Sequence, residues 1–139
     1  MNIIVLGAGA MGSLYGAKLS KLNDVILIAK KLHADKINRN GLKIIGLENN
    51  SYKIKAIECE RVGSLACHTK IKKIEDNTLI LLTAKVYDNE KSIKEISHLI
   101  KKGTIILCLQ NGFYSEDIVK KIVGGQPFEK TFGAPIEGE

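Results

Sequence analysis

Apolar residues occur in two patterns along this chain: as short continuous runs, and at every third or fourth position of longer segments. The continuous runs, which predict β-strands, are 3–6, 24–29, 78–84 and 104–109. The longer segments, which predict helices, are 10–22, 30–41, 88–101 and 115–122. A strand that is apolar at every position has both faces covered. The pattern therefore predicts an α/β domain with a doubly wound, mostly parallel sheet and helices on both of its faces.

The spacing of apolar residues within the helical segments predicts which helix faces pack against the sheet. The stripe of the first helix consists of Met11, Leu14, Tyr15, Leu19 and Leu22, and that of the third consists of Ile93, Ile96, Leu99 and Ile100. Gly41 and Gly103 are expected to end the second and third helices, and Ser115 is expected to cap the fourth.

The remaining segments are less regular. Residues 42–58 alternate around an Asn-Asn-Ser turn, which predicts a β-hairpin or an excursion on the sheet. The tail 124–139 contains both prolines and is expected to include one short strand. Residues 59–76 carry no readable pattern, and we assign no element to them.

Length and composition are those of one soluble globular domain. The 139 residues are 45% hydrophobic and 26% charged, and no run approaches the roughly 18 apolar residues that a membrane span needs. The N-terminal apolar run is too short for a signal peptide. The cysteines Cys59, Cys67 and Cys108 form no metal-binding spacing, and an odd, sparse set suits free thiols in a reducing compartment. We therefore expect a cytoplasmic protein without a membrane or metal partner, in which Cys108 is a small buried apolar residue.

The formal charge of +6 raises the question of a nucleic-acid partner. The lysines are spread along the whole chain, and the only arginines are Arg39 and Arg61. No nucleic-acid-binding motif or aromatic platform accompanies them. The charge therefore favours solubility and attraction of a small anionic ligand over nucleic-acid binding.

A glycine motif follows the first strand, where Gly7, Gly9 and Gly12 form G-x-G-x-x-G. In a Rossmann-type domain these glycines allow a tight turn, the approach of a pyrophosphate to the backbone, and close packing of helix on strand. The free N–H groups and dipole of the helix N-terminus favour the anion. The residues expected to bind the cofactor here are Gly7, Ala8, Gly9, Ala10, Met11 and Gly12. A packed corner without a ligand is the alternative, but the surrounding strand–helix–strand order favours a dinucleotide.

The residue that follows the second strand predicts which dinucleotide binds. A site for NAD has Asp or Glu about twenty residues after the motif. This chain has Ala29, Lys30 and Lys31 there, and a lysine attracts the 2′-phosphate that a carboxylate would repel. We therefore expect NADP(H), bound through Lys30, with Lys31 either assisting or solvated. The preference is expected to be modest, because lysine lacks the planar fork of arginine.

Three parts of the chain carry a resemblance: "MNIIVLGAGAMGSLYGAKL", "AKKLHADKINRNGLKI", and the pair "LLTAKVYD" and "LQNG". Together they resemble the N-terminal domain of the ketopantoate reductases (2-dehydropantoate 2-reductases). The first part is generic, whereas the last pair at this separation is more specific. The resemblance covers nearly the whole chain, and it identifies residues 1–139 as an NADP-binding domain. His33, within the second part, is expected to be a surface residue.

The resemblance implies roles for Lys85 and Asn111. Each follows an apolar strand at the carboxyl edge of the predicted sheet, where ligands of such sheets bind. By this resemblance both are expected to be catalytic and cofactor-binding residues: Lys85 would position the substrate or the nicotinamide ribose by its charge, and Asn111 would hydrogen-bond near the nicotinamide and the substrate. The alternatives are a solvated lysine at a strand end and an asparagine that serves a turn before Gly112.

The family reduces ketopantoate to pantoate with NADPH, on the route to pantothenate and coenzyme A. Its general-acid lysine and a substrate-binding glutamate belong to a second, helical domain, for which this chain has no counterpart. We therefore expect a cofactor half-site, inactive alone, that a missing C-terminal domain or a partner subunit completes around a small 2-oxoacid. The alternative functions are a nucleotide-sensing Rossmann module without catalysis, and a related NADP-dependent reductase of other specificity.

Overall fold

A computed structural model describes residues 1–45, 53–55, 63–85, 88–110, 115–124 and 128–134. Its strands are β1 Asn2–Leu6, β2 Asp24–Ile28, β3 Lys43–Ile45, β4 Lys53–Lys55, β5 Ser64–His68, β6 Leu79–Leu82, β7 Thr104–Leu109 and β8 Phe128–Ala134. Its helices are α1 Ala10–Leu19, α2 Lys31–Asn40, α3 Asn89–Ile96 and α4 Ser115–Val123, and α3 continues into a 3₁₀ turn, Ser97–Leu99.

Six strands form one sheet in the order β5-β2-β1-β6-β7-β8. Every pairing in this sheet is parallel. The chain winds from β1 outward to β2 and β5, then returns to the other side of β1 and winds outward through β6, β7 and β8. The predicted doubly wound α/β fold is confirmed, and its winding direction reverses between β1 and β6. In such sheets ligands bind at the carboxyl edge beside this reversal.

Helices cover both faces of the sheet, as predicted. Successive residues of a strand point to opposite faces. Ile3 and Val5 of β1 belong to a buried cluster with residues of α1 and α2. Ile4 and Leu6 belong to a second cluster on the other face with residues of α3 and α4. Both faces of β1 are therefore buried, which explains why its sequence is apolar without alternation.

The predicted packing face of α1 is only partly correct. The buried residues of this helix are Gly12, Ser13, Gly16 and Ala17, whereas Leu22 lies beyond its end and is 77% exposed. Small residues face the sheet because the helix lies very close to it: a Cβ on Gly16 would lie 2.4 Å from Leu27 Cδ2. Tyr15 and Leu19 of the predicted stripe are only partly buried against this cluster.

Other sequence predictions have mixed outcomes. The stripe of α3 is confirmed, since Ile93, Ile96 and Ile100 are buried. Gly41 is the C-cap of α2 and has a positive φ, as predicted. Gly103 also has a positive φ, but it lies in the turn before β7, beyond Leu99, where the helical segment ends, so the prediction that it ends the third helix is wrong. Strand β8 confirms the short strand expected in the tail.

The structure also tests the predictions for the hairpin and for Ser115. Strands β3 and β4 pair antiparallel, as expected for the hairpin, whose Asn-Asn-Ser turn lies outside the described residues. Ser115 is the first residue of α4 rather than its cap, and its buried hydroxyl has no hydrogen-bond partner among the described residues.

Strand β5 lies within residues 59–76, the segment to which we assigned no element. It lies at the sheet edge, paired only with β2 among the described strands, and its residues are partly exposed except for buried Cys67. An edge strand of this kind has no continuous apolar run, so its sequence carried no signal. None of the described helices is both long and apolar enough to cross a bilayer.

Candidate cofactor site

The glycine turn joins β1 to α1 at the carboxyl edge of the sheet. Gly7 has a φ of +104°, and a Cβ there would lie 2.5 Å from the backbone nitrogen of Ala84, just past the end of β6. On the other side, the N–H groups of Gly7 and Ala8 donate to the carbonyl of Ile28, at 3.2 and 2.9 Å. The turn is therefore fixed between the ends of β2 and β6, and only glycine fits its first position.

Gly12 lets the first turn of α1 pack closely against the glycine turn. A Cβ on Gly12 would lie 2.2 Å from the Gly7 carbonyl oxygen and 2.6 Å from Thr83 Oγ1. The Thr83 hydroxyl lies within hydrogen-bond distance of two carbonyl oxygens, those of Gly7 at 2.7 Å and Leu6 at 3.1 Å. Thr83 is a structural residue of the site that sequence reasoning missed, because its role depends on a contact between strands far apart in the chain.

Gly9 leaves open space in front of the helix N-terminus. It is the N-cap of α1, and a Cβ there would meet nothing within 4 Å. No side chain caps the helix, and its first turn has no acidic residue. Ser13 is the first residue whose N–H bonds back along the chain, to Gly9 at 2.9 Å. The N–H groups of Ala10, Met11 and Gly12 precede it, so the positive end of α1 suits a phosphate.

Lys30 lies at the end of β2, beside this turn. It is exposed and is the N-cap of α2, whose first turn has no acidic residue. The Ile28 carbonyl, which accepts the hydrogen bonds of the glycine turn, precedes Lys30 by two residues. Between them, the Ala29 N–H donates to the His68 carbonyl of β5 at 3.0 Å. Lys31 and His33, in the first turn of α2, are also exposed.

Lys85 lies on the other side of the sheet reversal. It follows Ala84, whose N–H donates to the Leu6 carbonyl at 2.9 Å, and its own carbonyl accepts from the Asp88 N–H at 2.8 Å. The residue is exposed at the same carboxyl edge as the glycine turn. Asn111 lies outside the described residues, so its predicted role stays a prediction.

A buried amide pair lies behind Lys85. Gln110, directly after β7, and Asn89, the first residue of α3, are hydrogen-bonded to each other through both side chains. Gln110 Nε2 also donates to the Ala84 carbonyl. Sequence reasoning missed this pair: Gln110 belongs to "LQNG" but was given no role there, and Asn89 lies just after "LLTAKVYD".

The described cysteines are buried free thiols. Burial raises the pKa of Cys67, and burial with the nearby charge of Glu116 raises the pKa of Cys108 to about 11. Both thiols are therefore protonated near neutral pH, and the prediction that Cys108 is a buried apolar residue is confirmed. Cys59 lies outside the described residues. Within the described residues, no three potential metal ligands cluster.

Comparisons with known proteins agree on one family. A family model described as ketopantoate reductase PanE/ApbA matches residues 3–133. The chain is 35% identical to the 2-dehydropantoate 2-reductase of Pyrococcus abyssi, in a match that spans 99% of this chain and 42% of that protein. It is also 35% identical to the enzyme of the same name from Pyrococcus horikoshii, over 91% of this chain and 38% of that protein. The chain therefore spans about two fifths of these curated relatives.

Solved structures show the same fold. A PanE/ApbA family ketopantoate reductase from Ralstonia eutropha superimposes with a TM-score of 0.71 at 24% identity, over 95% of this chain and 40% of that one. D-mandelate dehydrogenase, solved with NADH and anilino(oxo)acetate, superimposes with a TM-score of 0.70 at 29% identity, over 100% of this chain and 46% of that one.

Proposed function

The chain belongs to the ketopantoate reductase PanE/ApbA family, and from that premise we propose that it is the NADP(H)-binding domain of a 2-dehydropantoate 2-reductase. The whole enzyme would reduce ketopantoate to pantoate in pantothenate and coenzyme A biosynthesis. One observation carries the proposal: an uncapped helix N-terminus behind an open glycine corner, at the point where the winding of the sheet reverses.

The glycine turn would bind the pyrophosphate. The open space at Gly9 lets the phosphates approach the backbone, and the N–H groups of Ala10, Met11 and Gly12 would donate to their oxygens. Gly7 and Gly12 act indirectly, by allowing the close contacts that fix the corner between β2 and β6.

Lys30 would select NADP(H) over NAD(H). Its ammonium extends from the N-cap of α2, where an NAD site has a carboxylate for the ribose hydroxyls. The uncapped N-terminus of α2 adds a second favourable field for the 2′-phosphate, since its first turn has no acidic residue.

Lys85 and Asn111 would serve the nicotinamide half of the site. When bound, the cofactor supplies the hydride, and the protein orients it and the substrate. The charge of Lys85 suits a nicotinamide ribose or the carboxylate of a 2-oxoacid. The general acid would come from residues that this chain does not contain, contributed by a C-terminal domain or by a partner subunit in an oligomer.

A related 2-oxoacid reductase of other specificity is the second candidate. D-mandelate dehydrogenase, whose structure contains NADH, favours it through 29% identity over the full length of this chain. Lys30 does not separate the two candidates, because both are NADP-dependent and differ in their substrate.

Isothermal titration of the 139-residue chain with NADPH, NADP+, NADH and ATP tests the proposal. We expect NADPH and NADP+ to bind about tenfold more tightly than NADH, the effect of roughly 1.4 kcal/mol. Equal affinity for NADH would contradict the proposed role of Lys30. Tightest binding of ATP, or no binding of any dinucleotide, would overturn the proposal.

A further inference from the structure

Asn89 and Gln110 occupy a position between the ends of two neighbouring strands. Both are buried, at 0% and 8% exposure. Gln110 Nε2 donates to Asn89 Oδ1 at 2.6 Å, and Asn89 Nδ2 donates back to Gln110 Oε1 at 2.9 Å. The remaining hydrogen bond of Gln110 Nε2 goes to the carbonyl of Ala84.

The Ala84 carbonyl belongs to the peptide that leads into Lys85. Strand β6 ends at Leu82, so the sheet ladder does not reach this carbonyl. The side chain of Gln110 supplies the hydrogen bond that a neighbouring strand would otherwise supply. Together with the bond from the Asp88 N–H to the Lys85 carbonyl, it fixes the backbone on both sides of Lys85.

Apolar residues at these two positions would avoid the cost of burying polar groups. Two buried amides lose their hydration, and the hydrogen bonds that they form offset this loss only modestly. Leucine or methionine would fill a similar volume without that cost but could not bind the Ala84 carbonyl. The polar pair therefore has a geometric consequence that apolar residues would lack.

From these contacts we propose that Gln110 and Asn89 are a positioning pair, which orients Lys85 toward the nicotinamide half of the bound cofactor. This inference rests on the proposed function. The pair acts through the backbone of residue 85 and contacts neither the cofactor nor the substrate. Its loss therefore weakens the nicotinamide half of the site and leaves the adenosine half unchanged.

The test compares two ligands in Gln110→Met, which preserves side-chain length and removes the hydrogen bonds. NADPH reports on the whole site, and adenosine 2′,5′-bisphosphate reports on the adenosine half alone. We expect NADPH to bind about tenfold more weakly to the variant, the effect of one lost hydrogen bond, while the bisphosphate binds within twofold of the parent.

A matched control separates positioning from general destabilisation. Val123→Ala removes buried volume at the far end of α4 and is chosen to lower the melting temperature by a similar amount. It should change the affinity for neither ligand. Gln110→Leu, which also removes the hydrogen bonds and has a similar volume, replaces Gln110→Met if that variant does not fold.

The outcomes distinguish this inference from the proposed function. Equal weakening of both ligands in Gln110→Met, unchanged NADPH affinity, or the same loss in Val123→Ala would overturn the positioning role while the parent still binds NADPH. A parent that binds adenosine 2′,5′-bisphosphate and NADPH equally would show that the nicotinamide half contributes nothing, which also overturns it. A parent that binds neither ligand would overturn the proposed function itself.

Discussion

Gly9 and Gly12 are three residues apart in one motif but would respond to an added methyl group in opposite ways. At Gly12 a Cβ collides with the Gly7 carbonyl, whereas at Gly9 it enters open space. The φ of Gly9 is −76°, which alanine adopts without strain. Gly9 therefore leaves space for the proposed ligand, whereas Gly12 allows the helix to pack closely.

Alanine substitution separates these two roles. We expect Gly9→Ala to keep the melting temperature of the parent and to lose most NADPH affinity, because its methyl group occupies the space for the pyrophosphate. Gly12→Ala should lower the free energy of unfolding by about 1–3 kcal/mol, as overpacking does. Thermal unfolding and titration calorimetry measure both. A Gly9→Ala protein with unchanged NADPH affinity would contradict the proposed phosphate contact.

Lys30 carries the proposed choice between cofactors. We expect Lys30→Glu to weaken NADPH binding by about 1–3 kcal/mol, the range for hydrogen bonds to charged groups, and to leave NADH binding nearly unchanged. Lys36→Glu makes the same charge change at another exposed position of α2 and serves as the control. Comparable losses in both variants would indicate a general effect of net charge rather than a 2′-phosphate contact.

Elements with continuous apolar sequences were predictable, since burial on both faces leaves a local signal. Strands β1, β2, β6 and β7 are of this kind. Strand β5 was not predictable, because only Cys67 within it is fully buried. The face of α1 was only partly predicted, for a related reason: periodicity identifies large apolar residues, but this helix approaches the sheet through glycine and alanine.

The orientation of α1 predicts an unusual ranking of substitutions. Gly16→Val should lower the free energy of unfolding by about 1–3 kcal/mol, because its side chain would collide with Leu27. Leu22→Ser should change it by less than about 0.5 kcal/mol, because this leucine is exposed. Urea unfolding of both variants measures the difference. A larger loss of stability in Leu22→Ser than in Gly16→Val would indicate that the stripe of large apolar residues is the packing face after all.

At the scale of the whole molecule, the sheet order brings separate motifs to one edge. The glycine turn follows β1, Lys30 follows β2, and Lys85 lies just past β6 on the other side of the reversal. Sequence reasoning predicted these three positions, because each follows a readable strand. The contacts of Thr83, Asn89 and Gln110 with other segments were not predictable, since each joins parts of the chain whose proximity only the fold establishes.

We propose that the whole-enzyme reaction depends on groups outside residues 1–139. The chain spans about two fifths of its curated relatives, and the resemblance attributes the general acid to the remainder. We therefore expect residues 1–139 alone to bind NADPH without oxidising it when ketopantoate is added. Following NADPH absorbance over time measures this. Rapid substrate-dependent oxidation would show that the chain contains a complete active site.

The central claim is that the amide groups at the start of α1 bind a dinucleotide pyrophosphate. Amide chemical shifts, followed by NMR during titration with NADPH, test this claim most directly. The account predicts that the largest shifts occur at Gly9, Ala10, Met11 and Gly12, and that they are absent from Gly9→Ala at the same NADPH concentration. Saturable binding that leaves these four amides unmoved, with the shifts concentrated elsewhere, would contradict it.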